Sequence, residues 1–366
     1  MEDIQRQIEA IEKELKETPY HKGTEHFFGK MRARIAKLKD RIAEKQTKSS
    51  VGGGGGFAIK KFGDATIVLV GFPSVGKSTL LNALTNAKSS IAEYAFTTVN
   101  VIPGMMNYKG AQIQALDVPG LIEGAAQGKG RGREVLSVVR SADLLLVIAP
   151  LGKEKQFNQI NQELYLNGVR INEERPKVEI KKILRGGIKV NSTVPQELDR
   201  ETIIEVVREF GFSNAEVTLK EHLTINRLVD CLATNRIYTQ ALYIASKADV
   251  TSTEIHLSGG SDTTRMEKVI QISAETGIGL DRLREALWDK LGLVRVFLAQ
   301  SGQKKNFEEL IIMHKGDKLS DVMLKIGTEF AGNKDTAKIW GPGAKFPGQI
   351  VSLSIEAQDK MKVRFF

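Results

Sequence analysis

Apolar residues recur at helical spacing near the start of the chain. Ile4, Ile8, Ile11 and Leu15 fall on one helix face, and Met31, Ile35, Leu38 and Ile42 repeat the pattern. The break Thr18-Pro19-Tyr20-His21-Lys22-Gly23 between the two sets predicts a helical hairpin with facing apolar seams, spanning 1–50. Ser49-Ser50-Val51 and the glycines at 52–56 then bury nothing and keep full backbone freedom, so 51–64 reads as a linker. After it, short apolar runs alternate with helical periods: 65–70, 113–116, 144–148, 241–245 and 269–272 as strands, with helices from Lys77 to about Asn86 and over 280–291. This predicts an α/β domain over 65–293 with a largely parallel sheet.

Within that domain the pattern changes over 177–240. Residues 178–183 and 188–191 flank Gly186-Gly187 as a predicted hairpin, followed by a helix at 202–210, a strand at 215–219 and a helix at 224–234. An inserted α+β subdomain is expected. From about Val294 to the last residue, strands at 295–298, 310–313 and 362–366 around a helix at 319–330 predict a small α+β module.

Hydrophobic residues at 41% and charged residues at 27% of 366 fit a soluble protein with material for two or three domains. The longest apolar run, 142–151, contains Asp143 and is about half the roughly 20 residues of a spanning helix, so no membrane association is expected. Glu2, Asp3, Gln5 and Arg6 do not make a secretory leader, and the single Cys231 has no partner for an internal disulfide; both fit a cytoplasmic setting. The net charge of +9 favours polyanionic partners. Lys30, Arg32, Arg34, Lys37, Lys39, Arg41, Lys45 and Lys48, against Asp40 and Glu44, form either a solvated helix face or a contact for RNA or the ribosome. Nothing points to DNA specificity.

Gly71-Phe72-Pro73-Ser74-Val75-Gly76-Lys77-Ser78 matches G-x-x-x-x-G-K-[ST] and sits between a predicted strand and a predicted helix. Backbone N–H groups in such a loop wrap a phosphate, Lys77 reaches the β- and γ-phosphates, and the Ser78 hydroxyl serves Mg²⁺. Asp117-Val118-Pro119-Gly120 follows the strand 113–116, which delivers a carboxylate for Mg²⁺ and the Gly120 N–H for the γ-phosphate. Ser246-Lys247-Ala248-Asp249 follows another strand. There Asp249 accepts from the two donors of guanine, Lys247 covers the base, and the Ala274 N–H of Ser273-Ala274-Glu275 meets the guanine oxygen. Adenine lacks that donor pair, which leaves an RNA-binding ATPase as the residual alternative. Thr97 and Thr98 stand where a hydroxyl completes the Mg²⁺ shell, with Thr98 favoured, although threonine also suits plain β-structure. The stretch 124–133, with Gly124, Gly128, Gly130 and Gly132 among Lys129, Arg131 and Arg133, reads as a mobile segment that orders with GTP, or as a floppy basic loop.

These motifs resemble the Obg-related GTPases, and within them the developmentally regulated GTP-binding protein (DRG) family. The resemblance is carried by Gly71-Phe72-Pro73-Ser74-Val75-Gly76-Lys77-Ser78-Thr79, Tyr94-Ala95-Phe96-Thr97-Thr98, Asp117-Val118-Pro119-Gly120 and Gly128 to Arg133. It implies a helical N-terminal hairpin, an insert similar to a ribosomal-protein domain, and a C-terminal TGS module of β-grasp form, the last on Trp340-Gly341 and Phe346-Pro347-Gly348-Gln349. It further implies a slow GTP-hydrolysing switch that uses GTP/GDP and Mg²⁺ and associates with ribosomes, with a regulatory partner protein in eukaryotic relatives. Two departures matter. Ser246 replaces the usual asparagine and so removes an amide that ties the base loop to the phosphate loop, which predicts modest guanine affinity. Leu121 stands where Ras-type GTPases place the water-orienting glutamine, so the catalytic group is unassigned and a GTP-binding scaffold without useful hydrolysis is the rival reading. Ser74 takes the place of an asparagine that accompanies potassium in some relatives, which leaves K⁺ dependence open.

Overall fold

A computed structural model describes residues 2–48, 62–85, 101–118, 132–248, 255–258, 266–298, 309–327 and 334–366. Along the chain run α1 (Glu2–Glu17), α2 (Glu25–Lys48), β1 (Ala65–Val70), α3 (Lys77–Thr85), β2 (Ile102–Tyr108), β3 (Ala111–Asp117), α4 (Gly132–Ser141), β4 (Leu144–Pro150) and α5 (Lys155–Leu166). Next come β5 (Val169–Ile171), β6 (Val178–Lys182), β7 (Ile188–Ser192), α6 (Arg200–Glu209), β8 (Ala215–Leu219), α7 (Ile225–Leu232), β9 (Ile237–Ser246), β10 (Ile255–Ser258) and β11 (Met266–Gln271). The last are α8 (Leu280–Leu291), β12 (Leu293–Leu298), β13 (Glu309–His314), α9 (Leu319–Ile326), β14 (Thr336–Trp340), β15 (Gln349–Ser352) and β16 (Met361–Phe365). Packing divides the chain into two units, 57–167 with 239–366, and 1–56 with 168–238.

In the first of these units β1 is buried at every position, as an apolar run covered on both faces must be. It pairs in parallel with β3 on one side and β4 on the other, and β9 and β11 continue the parallel set in the order β11-β9-β4-β1-β3. These are the five predicted strands. The sequence pattern did not disclose the antiparallel edges, β2 beside β3 and β10 beside β11. Leu80, Leu81 and Leu84 of α3 and Leu283, Leu287 and Trp288 of α8 close the core over the sheet.

The C-terminal module is a five-stranded sheet in the order β13-β12-β16-β14-β15. Val296, Ile339, Met361 and Val363 on one face pack with Leu319 and Val322 of α9. That helix is shorter than the predicted 319–330, ending at Ile326 before Gly327 turns to φ +137. The module shares a core with the large sheet, because Leu293 and Ile312 join the cluster around Trp288. Lys109 and Arg295 lie 5.3 and 5.5 Å from the Trp288 ring centroid. Glu285 accepts from Lys109 Nζ and Tyr108 Oη, each at 2.7 Å, and Arg295 grips Asp359 at 2.9 and 2.7 Å. Hydrogen bonds from Lys109 and Tyr108 hold the Glu285 carboxyl below its ordinary range, and one from Arg295 does so for Asp359. Their stabilising contributions are present above the ordinary carboxylate range and are lost as pH falls through the lowered values.

The second unit corrects one expectation. Residues 178–183 and 188–191 do not form a hairpin: β8 lies between β6 and β7, antiparallel to the first and parallel to the second. Burial explains the order. Ala215, Val217 and Leu219 of β8 are fully buried at alternate positions, whereas the flanking strands carry lysines and polar residues suited to edges. The helices predicted at 202–210 and 224–234 are α6 and α7, the latter capped by Thr224, whose side chain accepts the Arg227 N–H.

The N-terminal hairpin and the insert share one core. Ile8, Ile11 and Leu38 form the predicted seam with Ile4, Leu15, Met31, Ile35 and Ile42, while a second face of α2 packs Phe28, Ala33 and Ala36 against α6 and α7. Small residues let the helices close up: a Cβ on Gly29 would stand 3.0 Å from methyl groups of Thr202 and Val206. Buried Asp40 accepts from Thr234 N and Oγ1 at 3.1 Å and from Asn235 Nδ2 at 3.0 Å. Part of the basic run is used internally as well, Arg32 donating to Asn226 Oδ1 and Lys37 to the Glu209 carbonyl at the end of α6.

Asp40→Ala should therefore cost about 1–2 kcal/mol, since donors shaped around a carboxylate lose it. The expected result is a lower urea midpoint for the unit that holds α2, with GDP affinity unchanged.

Candidate nucleotide and magnesium site

The parallel strands end along one edge of the large sheet, and register fixes what meets there: Leu69 beside Asp117, Val70 beside Val147, Pro150 beside Ser246 and Ala245 beside Gln271. Ligands of such sheets bind outside these carboxyl ends, where connections leave to opposite sides. Here β1 has β3, the next parallel strand along the chain, on one side and β4 on the other.

Between β1 and α3 the two glycines serve different ends. A Cβ on Gly71 would stand 2.6 Å from the Ile148 carbonyl oxygen, so the requirement is steric and comes from β4. Gly76 has open space around it but a φ of +93, so the requirement is conformational. Ser74 shares the left-handed region at φ +59, in the loop with Pro73 and Val75. Lys77 Nζ donates to the carbonyls of Gly71 and Phe72 at 3.0 and 2.9 Å, which lays the ammonium across the loop. Ser78 and Thr79, in the first turn of α3, follow it.

Asp117 ends β3 and is buried. Its Oδ2 accepts from Ser78 Oγ at 2.6 Å, while its Oδ1, also buried, has no hydrogen-bond partner among the described residues. A buried carboxylate oxygen without a donor is costly unless a cation or ordered water meets it. Two hard oxygens, the Ser78 hydroxyl and the Asp117 carboxylate, are the donor set that Mg²⁺ prefers beside substrate phosphates, so these residues fit the ion.

On the other side of β1 the base loop is tied to the phosphate loop. Ser246 Oγ donates to the Val75 carbonyl at 2.7 Å, and Lys247 Nζ donates to the Ser74 carbonyl at 3.1 Å. This corrects the expectation that serine in place of asparagine unties the two loops, because the short hydroxyl is buried at the end of β9 within reach of the acceptor. The Ala248 N–H donates to Ile272 O, joining the base loop to the one after β11. There Ser273 N bonds Ile278 O and Gly277 N bonds Ser273 O, making a closed turn that carries Ala274 against the core and Glu275 in solvent. Gly279, at φ +76, has no room for a Cβ, which would stand 2.3 Å from Gln271 O.

The structure thus brings together Gly71 to Thr79, Asp117, Ser246 and Lys247, with the turn at Ser273, Ala274 and Glu275 beside them. Thr97, Thr98, Gly120, Leu121 and Asp249 lie outside the described residues, as does 124–131 of the glycine-arginine stretch. Sequence reasoning missed the carbonyls of Ser74 and Val75 as acceptors, since backbone roles leave no residue-type signal.

Replacing Ser246 by alanine leaves the Val75 carbonyl without its donor. A net loss of about 1–2 kcal/mol should weaken GDP binding roughly tenfold. Ser246→Asn restores a donor and should bind at least as well as the parent in a fluorescent-nucleotide titration.

Two family models match the chain in tandem. One described as a 50S ribosome-binding GTPase covers residues 66–182, and one for the C-terminal region of that domain covers 185–293. An uncharacterized GTP-binding protein of Methanocaldococcus jannaschii is 44% identical over 358 residues, 97% of this chain and 91% of that one. Developmentally-regulated GTP-binding protein 2 of Homo sapiens is 37% identical over 364 residues, 98% and 99% of the two chains. GTP-binding protein 1 of Schizosaccharomyces pombe is 37% identical over 358 residues, 97% of each. Identity sustained from the N-terminal hairpin through the GTPase sheet to the C-terminal module makes this chain a member of the developmentally regulated GTP-binding protein family of P-loop GTPases.

Proposed function

We propose that the protein is a cytoplasmic switch that binds GTP with Mg²⁺, hydrolyses it slowly, and acts on the ribosome or its RNA. The observation that carries the nucleotide part is the Ser78–Asp117 pair, whose second buried oxygen has no partner among the described residues, set against a phosphate loop clamped to the base loop. Loop N–H groups and Lys77 bind the phosphates, Ser78, Asp117 and Thr98 hold the ion, and Gly120 meets the γ-phosphate. Held by these residues, Mg²⁺ would supply positive charge to the phosphates during hydrolysis. Asp249, Lys247 and Ala274 read and cover guanine. Leu121 cannot orient water, so that role falls to a group outside this set, and Ser74 leaves a supporting K⁺ open.

The ribosomal part rests on the description of the matching GTPase model and on charge. Lys30, Arg34 and Arg41 are exposed and, with Lys37, follow helical steps along one side of α2. A regulatory partner protein, and a TGS identity for the C-terminal module, belong to the same reading; the mixed five-stranded sheet with one helix supports the latter. Among the described residues no helix is long and apolar enough to cross a membrane.

Single-turnover assays should show GTP hydrolysis that Ser78→Ala removes, and Asp249→Asn should shift preference from GTP to XTP, because a site with unpaired buried polar groups discriminates strongly. Absent hydrolysis in the parent would favour the scaffold reading, and equal competition by ATP would favour the ATPase.

Deleting 1–50 is a poor test of the basic helix, since it strips a core. Lys30→Glu, Arg34→Glu and Arg41→Glu together should instead reduce ribosome co-sedimentation and flatten its salt dependence, by about 0.7–0.9 in log–log slope for each phosphate no longer neutralised. GDP affinity should stay unchanged; unchanged sedimentation across a salt series would reduce the stripe to a solvated face.

A further inference from the structure

Strands β1 and β3 end at the nucleotide site, β1 running into Gly71 and β3 closing on Asp117. Their opposite ends meet the C-terminal module. The β2–β3 turn consists of Lys109 at φ +50 and Gly110 at φ +87, a left-handed pair whose twist matches the strands it joins, so the ribbon behaves as one body. Leu310 of β13 seats on that turn: a Cβ on Gly110 would stand 2.2 Å from its Cδ2. Asp64, the residue before β1, is held by Lys325 Nζ of α9 at 3.0 Å and by a bond from its own N–H to Gln112 O at 2.7 Å. Between these ends β1 and β3 pair without a break from Ala65 opposite Ile113 to Leu69 opposite Asp117, with no glycine or proline in either strand. The seven residues of β3, at about 3.3 Å each, put roughly 20 Å between turn and carboxylate.

We propose that these two strands couple the nucleotide site to the module's junction: nucleotide and Mg²⁺ at Ser78 and Asp117 shift the β2–β3 turn against the module, and the junction in return sets nucleotide affinity. This rests on the GTP and Mg²⁺ reading above and adds its regulation. Force enters at Asp117, whose buried Oδ1 has no partner among the described residues and gains one when the ion arrives. It leaves at a contact poised to give. Lys109 and Arg295 share the Trp288 ring, 5.3 and 5.5 Å from its centroid, and are balanced by Glu285 and Asp359. The side chains of Lys109 and Glu285 are 26% and 50% exposed, so water replaces their bond at little cost. A turn displaced by about 1 Å would take both 2.7 Å bonds to Glu285 out of hydrogen-bond range. Buried, unbroken strands carry such a shift, and the half-exposed charges yield to it. A junction that answers the ligand must change the ligand's affinity by the same factor.

The chain has two tryptophans, so Trp340→Phe leaves Trp288 as the sole indole, and its emission reports the cations packed against it. Unlabelled GDP with Mg²⁺, titrated into the full chain carrying that substitution, should change the Trp288 emission along the saturation curve that displacement of a fluorescent GDP gives independently. In the second arm, Lys109→Ala with Glu285→Ala should weaken Mg²⁺-dependent GDP binding about fivefold or more. Lys109→Arg, which keeps the charge and a donor, should bind GDP like the parent. Circular dichroism and the urea midpoint follow the fold of each variant, and the tryptophan arm leaves the ion pairs of the junction untouched. A junction that only fastens the module would lower the urea midpoint of the double variant and move neither readout. Constant Trp288 emission through saturation, or parent-like GDP affinity in the double variant, overturns the coupling. Failure of the parent to bind fluorescent GDP at all would instead overturn the nucleotide reading, so the two failures are told apart.

Discussion

The close passage of β4 behind the phosphate loop constrains the rest of the nucleotide site. With the Ile148 carbonyl 2.6 Å from where a Cβ on Gly71 would stand, the chain can leave β1 only if that residue has no side chain. Accepting that constraint keeps β1 flush between β3 and β4, and the parallel register then needs no further adjustment. It sets Asp117 beside Leu69 and Ser246 beside Pro150, so the Asp117 carboxylate and the Ser246 hydroxyl arrive on either side of the phosphate loop. Coulombic preorganisation of this kind depends on the sheet being rigid, and a strand buried at all its positions provides that rigidity.

The N-terminal helix pair shows a different economy of structure and charge. One side of α2 carries the apolar seam toward α1, and another carries Gly29, Ala33, Ala36 and Asp40, small or hydrogen-bonded, toward the insert. Cations between these faces are drawn inward where an acceptor exists: Arg32 finds Asn226, and Lys37 finds the carbonyl end of α6, where the helix dipole favours positive charge. Lys30, Arg34 and Arg41 point to solvent. The same basic run is therefore partly architecture and partly surface.

What the sequence disclosed follows from how each element hides its surface. Strands β1, β3, β4, β9 and β11 lie inside the sheet and read as apolar runs. Strand β2 contains Pro103 and Gly104 and lies at an edge, where a missing donor is tolerated, so nothing in its composition marks it as a strand. The glycine pair at 186–187 reads as a hairpin turn, yet pairing is decided further along the chain by β8, whose buried alternation outcompetes a local connection. Gly29 and Asp40 escape because periodicity counts apolar residues, and these make a helix interface by being small or by accepting hydrogen bonds. Ser246 is legible as a departure from asparagine, but its consequence is not, since only the distance to the Val75 carbonyl shows that a hydroxyl suffices.

The β2–β3 ribbon joins the site to the C-terminal module. It has Ile102 opposite Asp117 at one end and Tyr108 and Lys109 at the other, where they meet Glu285 and Trp288. Arg295, in the first strand of the module, lies over the same indole and is fixed by Asp359. Asp64, just before β1, accepts from Lys325 of α9 at 3.0 Å and from the Gln112 N–H of β3 at 3.0 Å. The module is thus held to the residue that leads into β1 and to the β2–β3 turn, by apolar burial of Leu293 and Ile312 and by charges that are partly exposed and individually weak. Apolar contact sets the strength of this junction, and a one-residue shift of β2 along β3 would turn buried Met106 out of the core as well as move Tyr108 and Lys109 away from Glu285.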